Sequence, residues 1–213
     1  MMEVSGPEKL LAAASDAGVR DERVLEALRS VPRALFVPPS QIDRAYADAP
    51  LPIAHSQVTT QPSLVAKMVE ALALTGSEHV LEVGTGYGWQ TALLASLADF
   101  VWSVERWRDL AEAARANLER YGVRNAEVVV GDGSQGLAEQ APFEAVLVSA
   151  AFPRVPPPLA EQLAPGGRLV QPIGRGGNED VVLFERRGDR LDPVRTLTLA
   201  HFVPLVGQHG FPA

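Results

Sequence analysis

The segment Val80-Leu-Glu-Val-Gly-Thr-Gly-Tyr-Gly-Trp-Gln90 decides the fold: an apolar run meets three alternating glycines and then a helical pattern. Glycine is needed where a backbone turns with positive φ or presses against a ligand, and the helix that follows offers unpaired N–H groups at its positive end. The spacing therefore predicts a nucleotide-type cofactor site built on Gly84, Thr85, Gly86 and Gly88. It departs from the dinucleotide fingerprint, because Trp89 stands where that pattern has its third glycine. Glu82 lies two residues before Gly84. A carboxylate at the pocket mouth repels a pyrophosphate, whereas it suits the ammonium and sulfonium groups of S-adenosyl-L-methionine. NAD is the rival cofactor, and the G-x-G-x-G spacing with Glu82 disfavours it.

Working outward, strand-like runs fall at His79 to Val83, Phe100 to Val104, Ala126 to Val130, Ala145 to Ser149 and Arg168 to Pro172. Helical patterns around Thr91 to Leu97, Leu110 to Tyr121 and Pro158 to Leu163 separate them. Alternation of β and α with near-continuous apolar strands predicts an α/β fold, a doubly wound and mainly parallel sheet of Rossmann-like type. Beyond Gly176, Val181 to Phe184 and Thr196 to Val206 read as strands with no helix between them, so antiparallel edge pairing is expected. Upstream, Pro7 to Ser30 reads as two short helices broken at Gly18, and Ser63 to Leu74 as another. Val31 to Pro62 holds six prolines and little periodicity, a long connection that needs a task. The expected division is residues 1–75, helices and a covering loop, and residues 76–213, the core with its C-terminal strands, together one structural unit.

Composition narrows the function. The 213 residues, 46% hydrophobic and 21% charged, suffice for one well-buried core. Zero cysteines and four scattered histidines (His55, His79, His201, His209) offer no metal-ligand spacing, so no metal is expected. A net charge of −7 argues against a nucleic-acid partner. With no run of eighteen apolar residues and no leader pattern at Met1 to Val4, no membrane association is expected and the cytoplasm is the expected location.

In a doubly wound sheet, ligands sit at the carboxyl ends of the strands. Glu105 ends the second strand about twenty residues past the glycine loop, where an acidic side chain accepts hydrogen bonds from ribose hydroxyls. Asp132, in the turn Gly131-Asp-Gly133, ends the third strand and is expected near an adenine amino group, although an Asx turn accounts for it equally well.

The segments Leu81 to Ala92, Val130 to Gly133, Ala141 to Ala145, Pro165 to Val170 and Phe202 to Gly207 together resemble the protein-L-isoaspartate O-methyltransferase family. So do Val31-Pro-Arg-Ala-Leu-Phe-Val-Pro38, Leu51 to Ile53, Gln57 and Gln61-Pro62, and the resemblance runs from Val24 to about Gly207. It implies methyl transfer from S-adenosyl-L-methionine to the α-carboxylate of L-isoaspartyl residues in proteins or peptides, leaving S-adenosyl-L-homocysteine. The methyl ester then closes to a succinimide. It also implies cofactor contacts from Glu82, Gly84, Thr85, Gly86, Gly88, Glu105, Arg106, Asp132 and Gly133, with a monomer expected. The acceptor is already an anion at neutral pH, so the reaction needs proximity and a dry pocket rather than a strong base.

The resemblance places the substrate pocket in the covering loop, with a serine hydroxyl beside the reacting carboxylate. Here the family's Ile-Gly-x-Gly-Gln-Thr-Ile-Ser-Gln-Pro reads Ile53-Ala-His-Ser-Gln-Val-Thr-Thr-Gln-Pro62. Thr60 thus takes the serine position and keeps its hydroxyl, while Ala54 and Ser56 replace glycines. Ile53, Ala54 and Thr59 are expected at the substrate, with His55 either binding a peptide carboxylate there or standing exposed, joined by Ser149, Ala150 and Ala151 after the fourth strand. That strand end lacks the Asp/Asn-Pro-Pro-aromatic pattern of many nitrogen methyltransferases. The loop substitutions leave open a specialised enzyme for one dedicated peptide or protein, or a cofactor-binding relative without turnover.

Overall fold

The computed structural model describes residues 6–212; the remaining positions, including the leader position at Met1 to Val4, lie outside the described residues. Two helices open the described chain, α1 (Gly6–Asp16) and α2 (Glu22–Ser30). Asp21 caps α2 by accepting the Arg23 N–H at 2.8 Å, and α1 buries Leu10, Leu11 and Ala14. A two-stranded hairpin of β1 (Leu51–Pro52) and β2 (Val58–Thr59) precedes α3 (Pro62–Leu72). Proline at the start of α3 has no N–H to leave unpaired, and Ala73 ends the helix with φ of 50°.

The main sheet uses β3 (His79–Val83), β4 (Phe100–Glu105), β5 (Ala126–Val130), β6 (Phe143–Val148), β7 (Leu163–Ile173), β8 (Glu179–Arg187) and β9 (Arg190–Ala200). Its order is β5-β4-β3-β6-β7-β8-β9, parallel as far as β7 and antiparallel beyond it. The helices α4 (Trp89–Ala95), α5 (Arg108–Tyr121) and α6 (Pro157–Gln162) connect the parallel strands. Alternating residues of β3 feed two cores. Val80 joins the cluster with α1 to α5, and Leu81 and Val83 join the cluster around Leu159, Leu163 and Leu205. The first cluster draws Leu10, Val24 and Val65 into the same core as Leu94 and Val101. Strand order reverses on either side of β3, the position where doubly wound sheets open a crevice at their carboxyl edge.

Two segments differ from the sequence expectation. The last strand ends at Ala200 instead of continuing to Val206, because its pairing with β8 runs out at Glu179. The Glu179 carboxylate then accepts the Phe202 N–H at 2.9 Å and turns the chain away from the sheet. The proline-rich connection from Val31 to Pro62 is shaped by 3-10 turns at Arg33–Phe36 and Pro39–Arg44 and by the β1–β2 hairpin. Its organiser is Arg33, which is fully buried. The guanidinium donates to the carbonyls of Ala45, Ala47, Ala49 and Thr60 at 3.0 to 3.3 Å and to Thr59 Oγ1 at 2.8 Å. It also lies 5.3 Å from the Trp89 ring centroid. Burial lowers its pKa to about 10, which leaves it charged at neutral pH.

Replacing this group removes every one of those donors at once. Arg33→Met is expected to lower the unfolding free energy in urea by about 3 kcal/mol, with amide exchange across residues 45–60 accelerated. A change below about 1 kcal/mol, within the range of an ordinary single hydrogen bond, would show that the acceptors are re-satisfied by other means.

Candidate active site

A cavity of about 1040 Å³, its open mouth included, lies over the carboxyl ends of β3, β4 and β6. The glycine loop, the covering loop and the tail at Val203 to Val206 form part of its wall. The glycine loop follows β3 directly, and Gly84 N donates to Val104 O at 2.9 Å. Gly84 has φ of 97°, and a Cβ there would stand 3.3 Å from Ser149 Cβ. A side chain at this position is both strained and crowded. Gly133 approaches Val83 so closely that no Cβ would fit.

Of the residues expected at the cofactor, Gly84, Thr85, Gly86, Glu105, Arg106 and Gly133 line the cavity. Glu105 ends β4 buried, with Oε2 accepting Gly86 N at 2.9 Å and Oε1 accepting Trp107 N at 3.0 Å. A carboxylate has about four lone-pair sites, so both oxygens keep acceptor capacity.

Glu82, Asp132 and Gly88 do not line it. Glu82 is fully buried beneath the glycine loop, away from the mouth where a cation would be met. It accepts from Gln90 Nε2 at 2.8 Å and from the hydroxyls of Thr91 and Ser103. Burial raises its pKa to about 7 against the pull of those three donors. Asp132 turns toward the tail, accepting Ser134 N at 2.9 Å and Gln208 N at 2.7 Å. Burial works against its ionised form, but the bonds from Gln208, Ser134 and Gln135 prevail and hold the carboxyl below its usual range. Gly88 packs instead against Ala114 and Leu118 of α5.

On the acceptor side, Thr60, Ile53, Thr59, Ser149 and Ala150 line the cavity. The Thr59 hydroxyl is committed to the fold, accepting from Arg33 and from Leu51 N. Ala54, His55 and Ala151 are elsewhere. Ala54 is exposed, and Ala151 is buried with its N–H and carbonyl paired to Val203 and Leu205 at 2.8 Å. His55 turns outward onto Trp107 and Asp109, and its hydrogen bond is the main cause holding the Asp109 carboxyl below the usual range.

Sequence reasoning missed Gln90. One residue beyond the quoted glycines and Trp89, its Nε2 donates both to Glu82 and to Ser149 Oγ, the latter at 3.0 Å. Ser149 is therefore an acceptor toward Gln90, and its own hydrogen stays available. The available signal was the polar pair Gln90-Thr91 in the first turn of a helix whose other residues are apolar. Phe36, Val65, Tyr87, Trp89, Val104 and Leu110 supply further wall, and none carries a motif of its own.

A parallel sheet with an antiparallel edge and a glycine loop at its reversal point, followed by an acidic residue closing the neighbouring strand, defines a class I methyltransferase of Rossmann-like fold. Residues 5–210 match the family described as protein-L-isoaspartate(D-aspartate) O-methyltransferase. A relative of that name from Anaeromyxobacter dehalogenans is 53% identical over 190 residues, covering 88% of this chain and 91% of the relative. One from Methanoculleus marisnigri is 50% identical over 194 residues, covering 91% and 88%. A solved structure named protein-L-isoaspartate O-methyltransferase superposes with a TM-score of 0.85 at 29% identity, over 96% of this chain and 67% of that one. A Plasmodium falciparum structure in complex with S-adenosyl-L-homocysteine shares the fold with a TM-score of 0.78 at 22% identity, over 96% and 99%. The chain belongs to the protein-L-isoaspartate(D-aspartate) O-methyltransferase family.

The Glu82 network generates a pH signature. The folded chain holds the Glu82 proton up to about pH 7, whereas the unfolded chain releases it near 4.5. This group's contribution therefore favours folding below pH 4.5 and is lost as the pH rises to about 7, a difference of about 3 kcal/mol. Glu82→Gln should flatten that part of the stability profile, measured as urea midpoints between pH 4.5 and 7.5. Parallel profiles for the two proteins would assign the proton elsewhere.

Proposed function

We propose that this chain transfers the methyl group of S-adenosyl-L-methionine to the α-carboxylate of L-isoaspartyl residues in proteins and peptides, the step that opens repair through a succinimide. Family membership supports the reaction. The observation that carries it to these residues is the single cavity in which Glu105 and the glycine loop meet Thr60, Ser149 and the tail. Bound there, the cofactor supplies a methyl on a cationic sulfonium.

The residues fit that group. Glu105 offers spare acceptor capacity for ribose hydroxyls beside the backbone of Gly84 to Gly86, which carries little steric bulk. Val83, Val104 and Leu110 give apolar wall. Thr60 and Ser149 bring hydroxyls to the acceptor side, and Ala150 leaves room for peptide backbone. The covering loop and the tail exclude water, which strengthens the attraction between an anionic acceptor and a cationic donor. Because the acceptor oxygen is already ionised, these residues orient it and remove no proton.

The same reading takes the chain as a monomer working in the cytoplasm, with residues 1–75 covering a core of residues 76–213. It gives the protein neither a nucleic-acid nor a membrane partner. A net charge of −7 supports the former, and among the described residues no helix is long and apolar enough to cross a membrane.

The test is transfer of labelled methyl to a short L-isoaspartyl peptide beside its normal-aspartyl twin. Base-labile label on the isoaspartyl peptide alone is expected, and label on neither would remove the proposal. Glu105→Ala should weaken cofactor binding by about 1.5 to 3 kcal/mol in calorimetry, the value of charge-assisted hydrogen bonds. Thr60→Ser should keep or raise turnover and Thr60→Val should lower it; equal rates for all three proteins would take the hydroxyl out of the reaction.

A further inference from the structure

Residues 53–57 form a tight arch at the edge of the cavity. Ile53 and Gln57 line the cavity, and Ile53 N donates to Gln57 O at 2.9 Å. Between them the backbone is unusual, because His55 and Ser56 have φ of 58° and 55°. Two adjacent non-glycine residues in the left-handed region persist only where other contacts over-determine them.

His55 provides those contacts, and they reach Trp107 and Asp109 at the β4–α5 corner. Its imidazole lies flat on the Trp107 indole, with 3.9 Å between centroids and 4° between planes. Its Nε2 is 2.9 Å from both carboxylate oxygens of Asp109, in the first turn of α5. Gln57 Nε2 donates to the His55 carbonyl at 2.9 Å, which ties the anchored residue back to the cavity wall. Trp107 also bears the Arg106 guanidinium, 4.8 Å from its ring centroid, and Arg106 lines the cavity. The indole N–H is buried without a partner, so no hydrogen bond from that N–H holds the ring. A continuous chain of contacts, Gln57 to His55 to Trp107 to Arg106, thus runs from the covering loop to the β4–α5 corner and back to the cavity.

We infer that His55 is a clasp: it fastens the covering loop to Trp107 and Asp109, and so holds the cofactor in the cavity and fixes the wall formed by Ile53 and Gln57. His55 does not line the cavity, so it acts as a positioning residue. This rests on the cavity being the cofactor site, as proposed above. It also gives the departures at Ala54 and Ser56 a consequence. A family loop rich in glycine draws its shape from backbone freedom, whereas this loop draws it from one stacked side chain.

The experiment measures S-adenosyl-L-homocysteine dissociation, amide exchange of residues 53–57 and steady-state kinetics on the full chain. His55→Ala is expected to accelerate dissociation about fivefold to tenfold, the order of one aromatic pair's worth, and to speed exchange in the arch. At saturating cofactor, kcat should change far less than KM for the cofactor. His55→Phe, which keeps a flat ring on the indole, should recover most of the retention. The double variant His55→Ala with Trp107→Ala should release cofactor more slowly than the product of the two single effects, because the stacking contact is lost in both. Unchanged dissociation and exchange in His55→Ala, or additive effects in the double variant, would overturn the clasp alone. Failure of the unaltered chain to bind S-adenosyl-L-homocysteine would overturn the cofactor site, and the clasp with it.

Discussion

A single buried cation organises the half of the cavity that the sheet does not supply. Arg33 is enclosed by carbonyl oxygens of Ala45, Ala47, Ala49 and Thr60 and by the Thr59 hydroxyl, with no carboxylate of the described residues in direct contact. The desolvation of a guanidinium is offset here by several charge-assisted bonds spread over one irregular segment. The arrangement serves both partners. A proline-rich chain with little ladder pairing has backbone acceptors to satisfy, and a planar group with five donors satisfies several from one point. Thr60 faces the cavity because its own carbonyl and the neighbouring hydroxyl are tied to Arg33 behind it.

The parallel half of the sheet was legible because its strands are apolar almost throughout, and His79–Val83 and Ala126–Val130 fall where the pattern puts them. Short apolar runs bounded by turn residues read as strands of such a sheet, even at its edge, where only Val128 of Ala126–Val130 is buried. Thr196 to Val206 reads as one apolar run, but the ladder takes it only as far as Ala200; beyond Phe202 the apolar residues serve a cavity wall and Leu205 a core cluster. Composition does not distinguish these.

The site divides along a similar line. Spacing located the strand ends, so Gly84, Glu105, Gly133 and Ser149 fell on the cavity. Spacing does not say which way a carboxylate turns. That is set by donors far away in sequence: Ser103 for Glu82, and Gln208 for Asp132. Spacing likewise leaves open whether His55 meets the substrate or turns outward, since its partners Trp107 and Asp109 are more than fifty residues away. Arg33 and Gln90 were quoted within recognisable segments, yet nothing local marks one as a hub of carbonyls or the other as a bridge between Glu82 and Ser149.

The pairing of Ala151 with Val203 and Leu205 bears on how the protein is made. Every other wall of the cavity, from Phe36 to Ala150, leaves the ribosome before residues 203–206 do. The parallel strands and their helices have the material to fold while the tail is still being synthesised, but the chamber has one side open until then. Translation itself therefore sets the order in which the site is assembled, with the scaffold first and enclosure last.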